Sequence, residues 1–352
     1  MAAALTTTPH KRRIRYRGTH PRRFEEKYKE HDPARYAADV RKIIESGKTP
    51  AGTHRPICVR EILEVLAPQP GQVAVDATLG YGGHALEILR AILPGGRLYG
   101  LDVDPVELPK TEARLHAAGI PAEALIVRRT NFAGLPQLLA AEDLPGVDII
   151  LADLGLSSMQ IDNPARGFTF KLEGPLDLRM NPQRGRPASA LLAALDETAL
   201  VQLLTENADE PHARSIAQAI LRVQARTPIA TTTALAAAVR SAFPAASGER
   251  SREQIDSSVR RVFQALRIAV NDEFSALETF LRYLPSCLNP GGRVAVLTFH
   301  SGEDRRVKKA FQAGERDGVY ARIAHEVIRP AQEEIRSNPR ASSAKLRWAV
   351  KA

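Results

Sequence analysis

The stretch VAVDATLGYGGH, residues 73–84, decides the fold of this chain of 352 residues. It joins a short apolar run that ends in Asp76 to a turn with three glycines, Gly80, Gly82 and Gly83, and a helical pattern follows. Glycines let the backbone approach a ligand closely, and the first turn of a helix presents free N–H groups and the positive end of its dipole. The stretch therefore predicts a strand, a ligand-binding turn and a helix in succession.

The same alternation continues along the chain. Short apolar runs are followed by helical patterns, and the runs are apolar on both faces. Strands of this kind that alternate with helices form a parallel, doubly wound sheet, so the predicted fold class is α/β. The predicted strands are Val73–Thr78, Arg97–Asp102, Ala124–Arg128 and Val147–Asp153, and the predicted helices are Gly82–Leu93, Val106–Ala118 and Leu135–Ala141.

The alternation stops after the fourth strand. A loop rich in Gly, Pro and Arg follows, and then helical patterns rich in Ala and Leu. A long helix, about Asp256–Leu284, a turn at Asn289–Gly292 and a strand, Arg293–Phe299, resume the alternation. We predict a ligand-binding α/β domain formed by residues 54–161 and 256–352, with a helical substrate-recognition domain inserted at 162–255.

The net charge of +9 is concentrated at the amino end. Residues 1–53 hold thirteen Lys and Arg against six Asp and Glu, a net +7, and Lys11–Arg23 has seven basic residues and no acid. A segment this charged cannot form a core, so we predict a flexible extension. It either binds phosphates or is simply solvated. A transit peptide is disfavoured because no apolar stripe runs through it.

The overall composition narrows the class of protein. Hydrophobic content of 44% and charged content of 25% are typical of soluble globular proteins. No run approaches the ~18 apolar residues of a membrane helix. The two cysteines, Cys58 and Cys287, offer neither a disulfide framework nor metal-ligand spacing. We expect a cytoplasmic protein that has no metal and does not act at a membrane.

The glycine turn leaves more than one interpretation open. Its glycines, with Ala85, satisfy the dinucleotide G-x-G-x-x-G/A spacing, and Asp102 follows ~20 residues on to hold a ribose hydroxyl, as in a nicotinamide dehydrogenase. Asp76 favours S-adenosylmethionine instead, because a carboxylate can face its sulfonium or amino end but would repel a pyrophosphate. A Pro-Gly-Gly turn at Pro290–Gly292 is common in methyltransferase folds. The third interpretation is a purely structural turn.

Seven longer motifs extend this evidence over most of the chain. They are DATLGYGGHALEIL (76–89), DLGLSSMQID (153–162), RGFTF (166–170), GPLDLRM (174–180), FQALRIAVNDE (263–273), TFHSGEDRRVK (298–308) and NPRASSAKLR (338–347). In this order they resemble the ribosomal RNA small-subunit methyltransferase H family, also called MraW. The resemblance runs from about Thr53 to Ala352, without the basic segment. It implies a Rossmann-like class I methyltransferase with an inserted helical domain after its fourth strand.

The resemblance also implies an activity and a set of contacts. Members transfer a methyl group from S-adenosylmethionine to N4 of a specific cytidine in the decoding (P-site) region of 16S ribosomal RNA, within the small subunit. Beside Asp76 and Gly80, the implied cofactor residues are Gly82, Gly83, His84, Asp102, Phe132, Asp153 and Gln160. Phe132 could equally be a core residue.

Three short stretches depart from the family's pattern. The usual Ser-Leu-Glu-Asp is replaced by Ser301-Gly302-Glu303-Asp304, and the usual Gly-Glu-Glu by Ala208-Asp209-Glu210-Pro211. Val262 replaces a threonine. None of the implied cofactor residues is affected.

Methyl transfer to N4 needs an in-line arrangement and an acceptor near the amine, whose lone pair is spread into the ring. We expect Asp153 with the Ser157/Ser158 turn to fill that role. His300 is a candidate proton acceptor or, alternatively, a positioning histidine.

The target base must leave its stack, which favours an unpaired RNA site. Arg166, Phe168, Phe170 and Arg179 are candidate RNA contacts. The alternative for the two phenylalanines is that they dock the insert. A homodimer, another RNA or protein substrate, and a non-catalytic ribosome-assembly factor stay open.

Overall fold

A computed structural model describes residues 56–243 and 249–352, with the backbone alone at residues 158 and 249–251. The basic segment 1–53 lies outside the described residues. The strands are β1 (Val73–Asp76), β2 (Arg97–Asp102), β3 (Leu125–Arg129), β4 (Val147–Asp153), β5 (Leu288–Thr298), β6 (Tyr320–Ile323) and β7 (Lys345–Lys351). They form one sheet in the order β3-β2-β1-β4-β5-β7-β6. β1 to β5 are parallel, and β7 runs antiparallel between β5 and β6.

Helices cover both faces of this sheet. The α-helices of the described part are α1 (Val59–Leu66), α2 (Gly83–Ile92), α3 (Leu108–Ala117), α4 (Leu135–Ala141), α5 (Ser158–Asp162), α6 (Ala188–Ala194), α7 (Glu197–Ala208), α8 (Ala213–Gln224), α9 (Thr232–Arg240), α10 (Glu249–Asn271), α11 (Glu273–Cys287), α12 (Ser301–Arg316) and α13 (Gln332–Ser337). Apolar residues of α1, α2 and α3 pack on one face, and those of α4, α11 and α12 pack on the other.

The central strands are apolar on both faces because both faces are covered. In β4, Val147 and the four residues Ile149–Ala152 are buried, and only Asp148 and the closing Asp153 are partly exposed. A parallel sheet with helices on both faces requires this pattern. The predicted strands and helices up to Asp153 are confirmed, with ends that shift by one or two residues at most positions.

The segment between β4 and β5 is helical, as predicted. Its loop and helices share a hydrophobic core of their own, which runs from Phe168 through the apolar sides of α6 to α10. Residues 55–352 nevertheless form one compact unit. The division into a main domain and a substrate-recognition domain at 162–255 therefore stays a prediction.

The single long helix expected at about Asp256–Leu284 is wrong. The helix α10 ends at Asn271, and α11 begins at Glu273, because Asp272 between them has a left-handed backbone with φ 51°. An interior αL residue breaks the i to i−4 hydrogen bonds of a helix. The expected turn at Asn289–Gly292 lies inside an irregular first part of β5.

The strand order decides between the two Rossmann-like alternatives. Dinucleotide-binding sheets have the all-parallel order 3-2-1-4-5-6 built from two mononucleotide-binding halves. Here an antiparallel β7 enters between β5 and β6, and a helical segment is inserted between β4 and β5. The fold is that of a class I methyltransferase, with the helical insertion after β4. No helix in residues 56–243 or 249–352 has the length and apolar character needed to cross a membrane.

Candidate active site at the carboxyl edge of the sheet

Three carboxylates close three neighbouring strands at one edge of the sheet. Asp76 ends β1, Asp102 ends β2 and Asp153 ends β4, and β1 pairs with both of the other strands. Ligands of open α/β sheets bind outside the carboxyl ends of the strands, where the strand order reverses. In this sheet that point lies between β1 and β4. The three acids therefore lie together at the edge where a ligand would bind.

The glycine turn connects β1 to α2 beside these acids. Gly80 and Gly82 have left-handed backbones, with φ 49° and φ 81°. The N–H of Gly80 donates to Asp102 Oδ2 at 2.8 Å. A Cβ at Gly82 would lie 2.8 Å from Cγ2 of Thr111, so no larger residue fits there without displacing α3. Gly83 then begins α2 at this edge.

His84 and Asp153 face each other across the turn. The ring Nε2 of His84 lies 2.9 Å from the carbonyl oxygen of Ile57, which can only accept, so Nε2 carries the proton. Burial holds the pKa of His84 below its usual value, and the neutral ring therefore presents Nδ1 as an acceptor. Nδ1 lies 3.5 Å from Asp153 Oδ2. A proton shared at this contact must come from the carboxyl group.

Asp153 is suited to hold such a proton. Burial and the nearby carboxylate of Glu303 raise its pKa to about 7, while 29% of its side chain stays exposed. Burial also raises the pKa of Asp76 to about 7, although His84 opposes the shift. The backbone N–H of Asp153 donates to Thr78 Oγ1 at 2.6 Å, which fixes the end of β4 against β1.

Asp104 organises the next part of the edge. It is fully buried, and its Oδ2 accepts from Gln160 Nε2 at 2.8 Å and from Arg166 Nη1 at 2.7 Å. Its Oδ1 accepts the backbone N–H of Val106, and its own N–H donates to Asp102 Oδ1. Two implied cofactor residues, Asp102 and Gln160, are therefore held in place by one aspartate that sequence analysis did not single out. Its only sequence signal was an Asp two residues beyond a strand-end acid.

The expectation that Arg166 contacts RNA does not fit this geometry. Its side chain is only 10% exposed, and besides Asp104 it donates to the carbonyl oxygens of Arg179 and Met180. The guanidinium binds the protein itself. Arg166 therefore ties the start of the inserted segment to the sheet edge.

The other three predicted RNA contacts also have partners within the protein. Phe168 is buried in the core of the inserted segment, and Phe170 packs against Phe263 with ring centroids 5.5 Å apart. This is the packing alternative considered for the two phenylalanines. Arg179 forms a two-point ion pair with Asp177, at 2.7 and 2.8 Å. Burial opposes ionisation of Asp177, but hydrogen bonds from Arg179 outweigh it and lower the pKa of Asp177.

Phe132 lies at the carboxyl end of β3, in a short 3-10 turn that Asn131 caps. Its ring meets Phe280 of α11 edge to face, with centroids 5.4 Å apart, and it is partly buried. A half-covered aromatic ring beside the acids leaves an apolar surface that a planar base can contact. Its role in binding adenine stays a prediction.

The two serines differ in what the structure shows. Ser157 caps α5, since its hydroxyl accepts the N–H of Gln160 and its own N–H donates to Gln160 Oε1. This capping role alone explains the position of Ser157, and the catalytic role expected from the sequence stays a prediction. The side chain of Ser158 lies outside the described part.

His300 lies just after the end of β5. Its ring is positioned by Glu303, a residue that the sequence analysis did not propose. Glu303 is buried, accepts the N–H of Phe299 at 2.9 Å and lies 3.2 Å from His300 Nε2. Burial opposes its ionisation, but His300 and Arg267 outweigh burial and lower the pKa of Glu303. A buried carboxylate fixed beside a histidine positions its ring.

The departure at Gly302 is compensated within the structure. A Cβ at Gly302 would lie 2.6 Å from Cζ of Phe274, so this ring fills the space of the usual leucine. The guanidinium of Arg306 covers the same ring, 3.6 Å from its centroid. The ring of Phe274 also lies against His300, with centroids 5.8 Å apart.

A cysteine and two glutamates lie together near His84. The ligand atoms of Cys58, Glu61 and Glu334 are within 4.8 Å of one another, although the sequence spacing had suggested no metal cluster. Glu334 accepts the backbone N–H of Cys58 at 3.0 Å. Burial, followed by the two carboxylates, raises the pKa of the Cys58 thiol to about 12. The thiol therefore stays protonated, and the hydrogen bond from the Cys58 N–H to Glu334 joins the start of α1 to α13.

The chemistry of this edge fits S-adenosylmethionine better than a dinucleotide. Carboxylates close β1, β2 and β4, where a pyrophosphate would be repelled and a cationic amino-acid end would be stabilised. The glycine turn allows close approach, and the partly covered ring of Phe132 offers an apolar surface. A ribose needs acceptors, and the carboxylate of Asp102 retains free lone pairs beside its two backbone donors.

Comparison with known proteins agrees with this chemistry. Residues 51–352 match the MraW methylase family. The ribosomal RNA small subunit methyltransferase H 2 of Alkaliphilus metalliredigens is 53% identical over 342 residues, which cover 97% of both chains. The methyltransferase H 1 of Lachnoclostridium phytofermentans is 49% identical over 97% of this chain and 93% of its own. The methyltransferase H of Heliobacterium modesticaldum is 40% identical over 85% of this chain and 98% of its own.

The extent of these matches bears on the basic segment. A match over 342 of 352 residues leaves out only ten, so it must include most of residues 1–53. The match to the Heliobacterium protein covers 85% of the chain and spans nearly all of that protein. Part of this chain, about the size of the basic segment, is thus shared with some relatives and absent from others. The resemblance stated from the sequence leaves the basic segment out, as the family model does, whereas the match to the Alkaliphilus protein extends into it.

Proposed function

Because the chain belongs to the MraW methylase family, we propose that it transfers a methyl group from S-adenosylmethionine to the exocyclic N4 of a cytidine in 16S ribosomal RNA. The proposal places this cytidine in the decoding (P-site) region of the small subunit, and the enzyme in the cytoplasm. The observation that carries it is the group of three carboxylates, Asp76, Asp102 and Asp153, at the edge of a class I methyltransferase sheet where the strand order reverses. The family match over residues 51–352 supports the same chemistry.

The cofactor residues are proposed individually. Gly80, Gly82 and Gly83 provide close backbone approach, and His84 closes the turn. Asp102 holds the ribose hydroxyls, Phe132 packs by the adenine, and Asp76 faces the amino-acid end. Gln160 completes the site from α5, just before the inserted segment. When bound, S-adenosylmethionine supplies an electrophilic methyl group.

The residues around N4 have to align a weak nucleophile and receive its proton. In the deprotonated state Asp153 accepts a hydrogen bond from the N4 amine, which favours the pyramidal nitrogen as positive charge develops on it. With a pKa near 7, Asp153 can also take the proton at physiological pH. His300, held by Glu303, is a second acceptor just beyond the carboxyl end of the neighbouring strand β5.

The test is mass spectrometry of nucleosides from 16S rRNA, isolated with and without the gene. Loss of N4-methylcytidine in the deletion strain, and its return with the gene but not with an Asp153→Ala copy, would support the proposal. A full complement of N4-methylcytidine without the gene would contradict it. An unchanged RNA with a methylated protein would favour the alternative substrate class.

A further inference from the structure

The loop that opens the inserted segment holds four arginines with different environments. Arg166 and Arg179 bind groups of the protein itself, as described above. Arg184 and Arg186 are exposed, and within the described residues no acceptor lies within hydrogen-bond or ion-pair distance of either guanidinium. Exposed arginines elsewhere often have a partner, such as Arg128 with Glu142 at 2.6 Å. The two pairs of arginines therefore have different functions.

Internal hydrogen bonds hold the backbone around Arg184 and Arg186. The N–H of Arg184 donates to the carbonyl of Asn181, and the N–H of Gln183 donates to Asn181 Oδ1 at 3.0 Å. Gly185 has φ 74°, which closes the turn, and its carbonyl accepts from Arg179 Nη1 at 3.1 Å. A fixed backbone carries the two side chains into solvent, so little chain entropy is lost when they bind a ligand.

The same turn is attached to the candidate active site. The carbonyl of Met180 accepts from Arg166 Nη2 at 2.8 Å, and Arg166 reaches Asp104 next to Asp102. The N–H of Met180 donates to Asn271 Oδ1 at 2.7 Å, at the end of α10. One short chain of contacts thus joins the turn to the strand-end acids.

We propose that the turn 181–186 is a phosphate-binding rim of the site, where Arg184 and Arg186 contact phosphodiester groups beside the target cytidine. The identity of the RNA in this proposal rests on the proposed function, whereas the presence of the rim does not. Guanidinium groups match phosphate in shape and charge. The carboxyl edge of the sheet cannot bind phosphate groups itself, because Asp76, Asp102 and Asp153 repel a polyanion.

The experiment compares the full chain with two double variants. One is Arg184→Gln with Arg186→Gln. The matched control is Arg97→Gln with Arg282→Gln, two exposed arginines that also lack a partner among the described residues. Arg97 begins β2 at the opposite edge of the sheet, and Arg282 lies in the second half of α11, which runs toward that edge. Melting transitions and S-adenosylmethionine affinity serve as checks that all three proteins fold alike.

The first measurement is binding of a twelve-nucleotide oligouridylate by filter binding over a range of salt concentrations. Each phosphate contact to a single strand contributes about 0.7 to the salt slope, so losing two lowers the slope by about 1.4. At 0.1 M salt this corresponds to about 25-fold weaker binding, and the proteins converge near 1 M. The proposal would be overturned if the salt slope of the Arg184→Gln, Arg186→Gln variant were unchanged or if the control variant lost as much slope. It would also be overturned if the unmodified protein did not bind the oligouridylate.

The second measurement separates the rim from the proposed function. Unmethylated small subunits receive labelled methyl groups from S-adenosylmethionine, and we expect the rim variant to raise KM for subunits with kcat nearly unchanged. If the unmodified protein does not methylate subunits, the proposed function fails, and the oligouridylate slopes still decide on the rim. If it does methylate them and the rim variant matches it in KM, the rim fails and the function stands.

Discussion

Replacing Arg166 with methionine separates two incompatible roles for this residue. The sequence suggested a phosphate contact, whereas the structure pairs it with Asp104 at 2.7 Å, with side chains 10% and 1% exposed. Breaking a buried ion pair by removing one partner costs roughly 3–5 kcal/mol, because the remaining charge stays buried. We expect Arg166→Met to lower the free energy of unfolding by about 4 kcal/mol, which lowers Tm on the order of 10 °C.

The assay is thermal and urea unfolding of the full chain, with Arg184→Met as the matched control. The side chain of Arg184 is exposed, so its loss should change stability by no more than about 0.5 kcal/mol. The pair Asp104→Leu with Arg166→Met removes both charges at once. It should be less destabilised than the sum of its single variants. Each single variant leaves one unpaired buried charge, whereas the double variant leaves none.

One result would refute the reasoning. If Arg166→Met unfolds within about 1 kcal/mol of the unmodified protein while its affinity for RNA falls, the guanidinium acts on the substrate and not on Asp104. A double variant whose loss of stability equals the sum of the two single losses would also show that the two residues are not coupled.

Four further predictions concern the candidate site and the basic segment. Asp102→Asn should weaken S-adenosylmethionine binding by roughly 1–3 kcal/mol, and unchanged affinity in calorimetry would remove Asp102 from the site. Asp153→Ala should lower the single-turnover rate far more than cofactor affinity. In the unmodified protein that rate should rise with pH through about 7, because the carboxylate is the accepting form, and Glu303→Gln should move the rise to lower pH; a flat profile would contradict this. Deleting residues 1–50 should preserve the melting transition and make RNA binding less salt-dependent, whereas parallel salt slopes would mean that the segment does not touch RNA.

The sheet could be predicted from the sequence because its cause is local. A run such as Val147–Asp153 is apolar on both faces whatever surrounds it, and its closing acid marks the edge where ligands bind. The break at Asp272 could not be predicted in this way. The residues around it continue a helical pattern, and only the backbone angle of one aspartate separates α10 from α11.

The functions of individual site residues were harder to predict for a physical reason. An arginine in a loop has the same sequence signal whether it binds phosphate or a buried carboxylate. Asp104, the partner of Arg166, lies 62 residues earlier in the chain, and only the fold brings the two together. Glu303 was missed for a related reason, since its importance comes from contacts with His300 and from its effect on Asp153.

A methyltransferase acting on RNA has to satisfy two opposite electrostatic requirements at one edge. The cofactor is cationic at its reacting end, which the carboxylates of Asp76 and Asp153 favour, while RNA is a polyanion that they repel. Arginines placed directly among these acids would neutralise them and weaken cofactor binding. The structure separates the two: Arg166 pairs with Asp104, behind the strand-end acids, and fixes a turn whose exposed arginines point to solvent. The proposed rim thereby supplies positive charge for the RNA strand, while burial and Glu303 keep the pKa of Asp153, the proposed proton acceptor, at about 7.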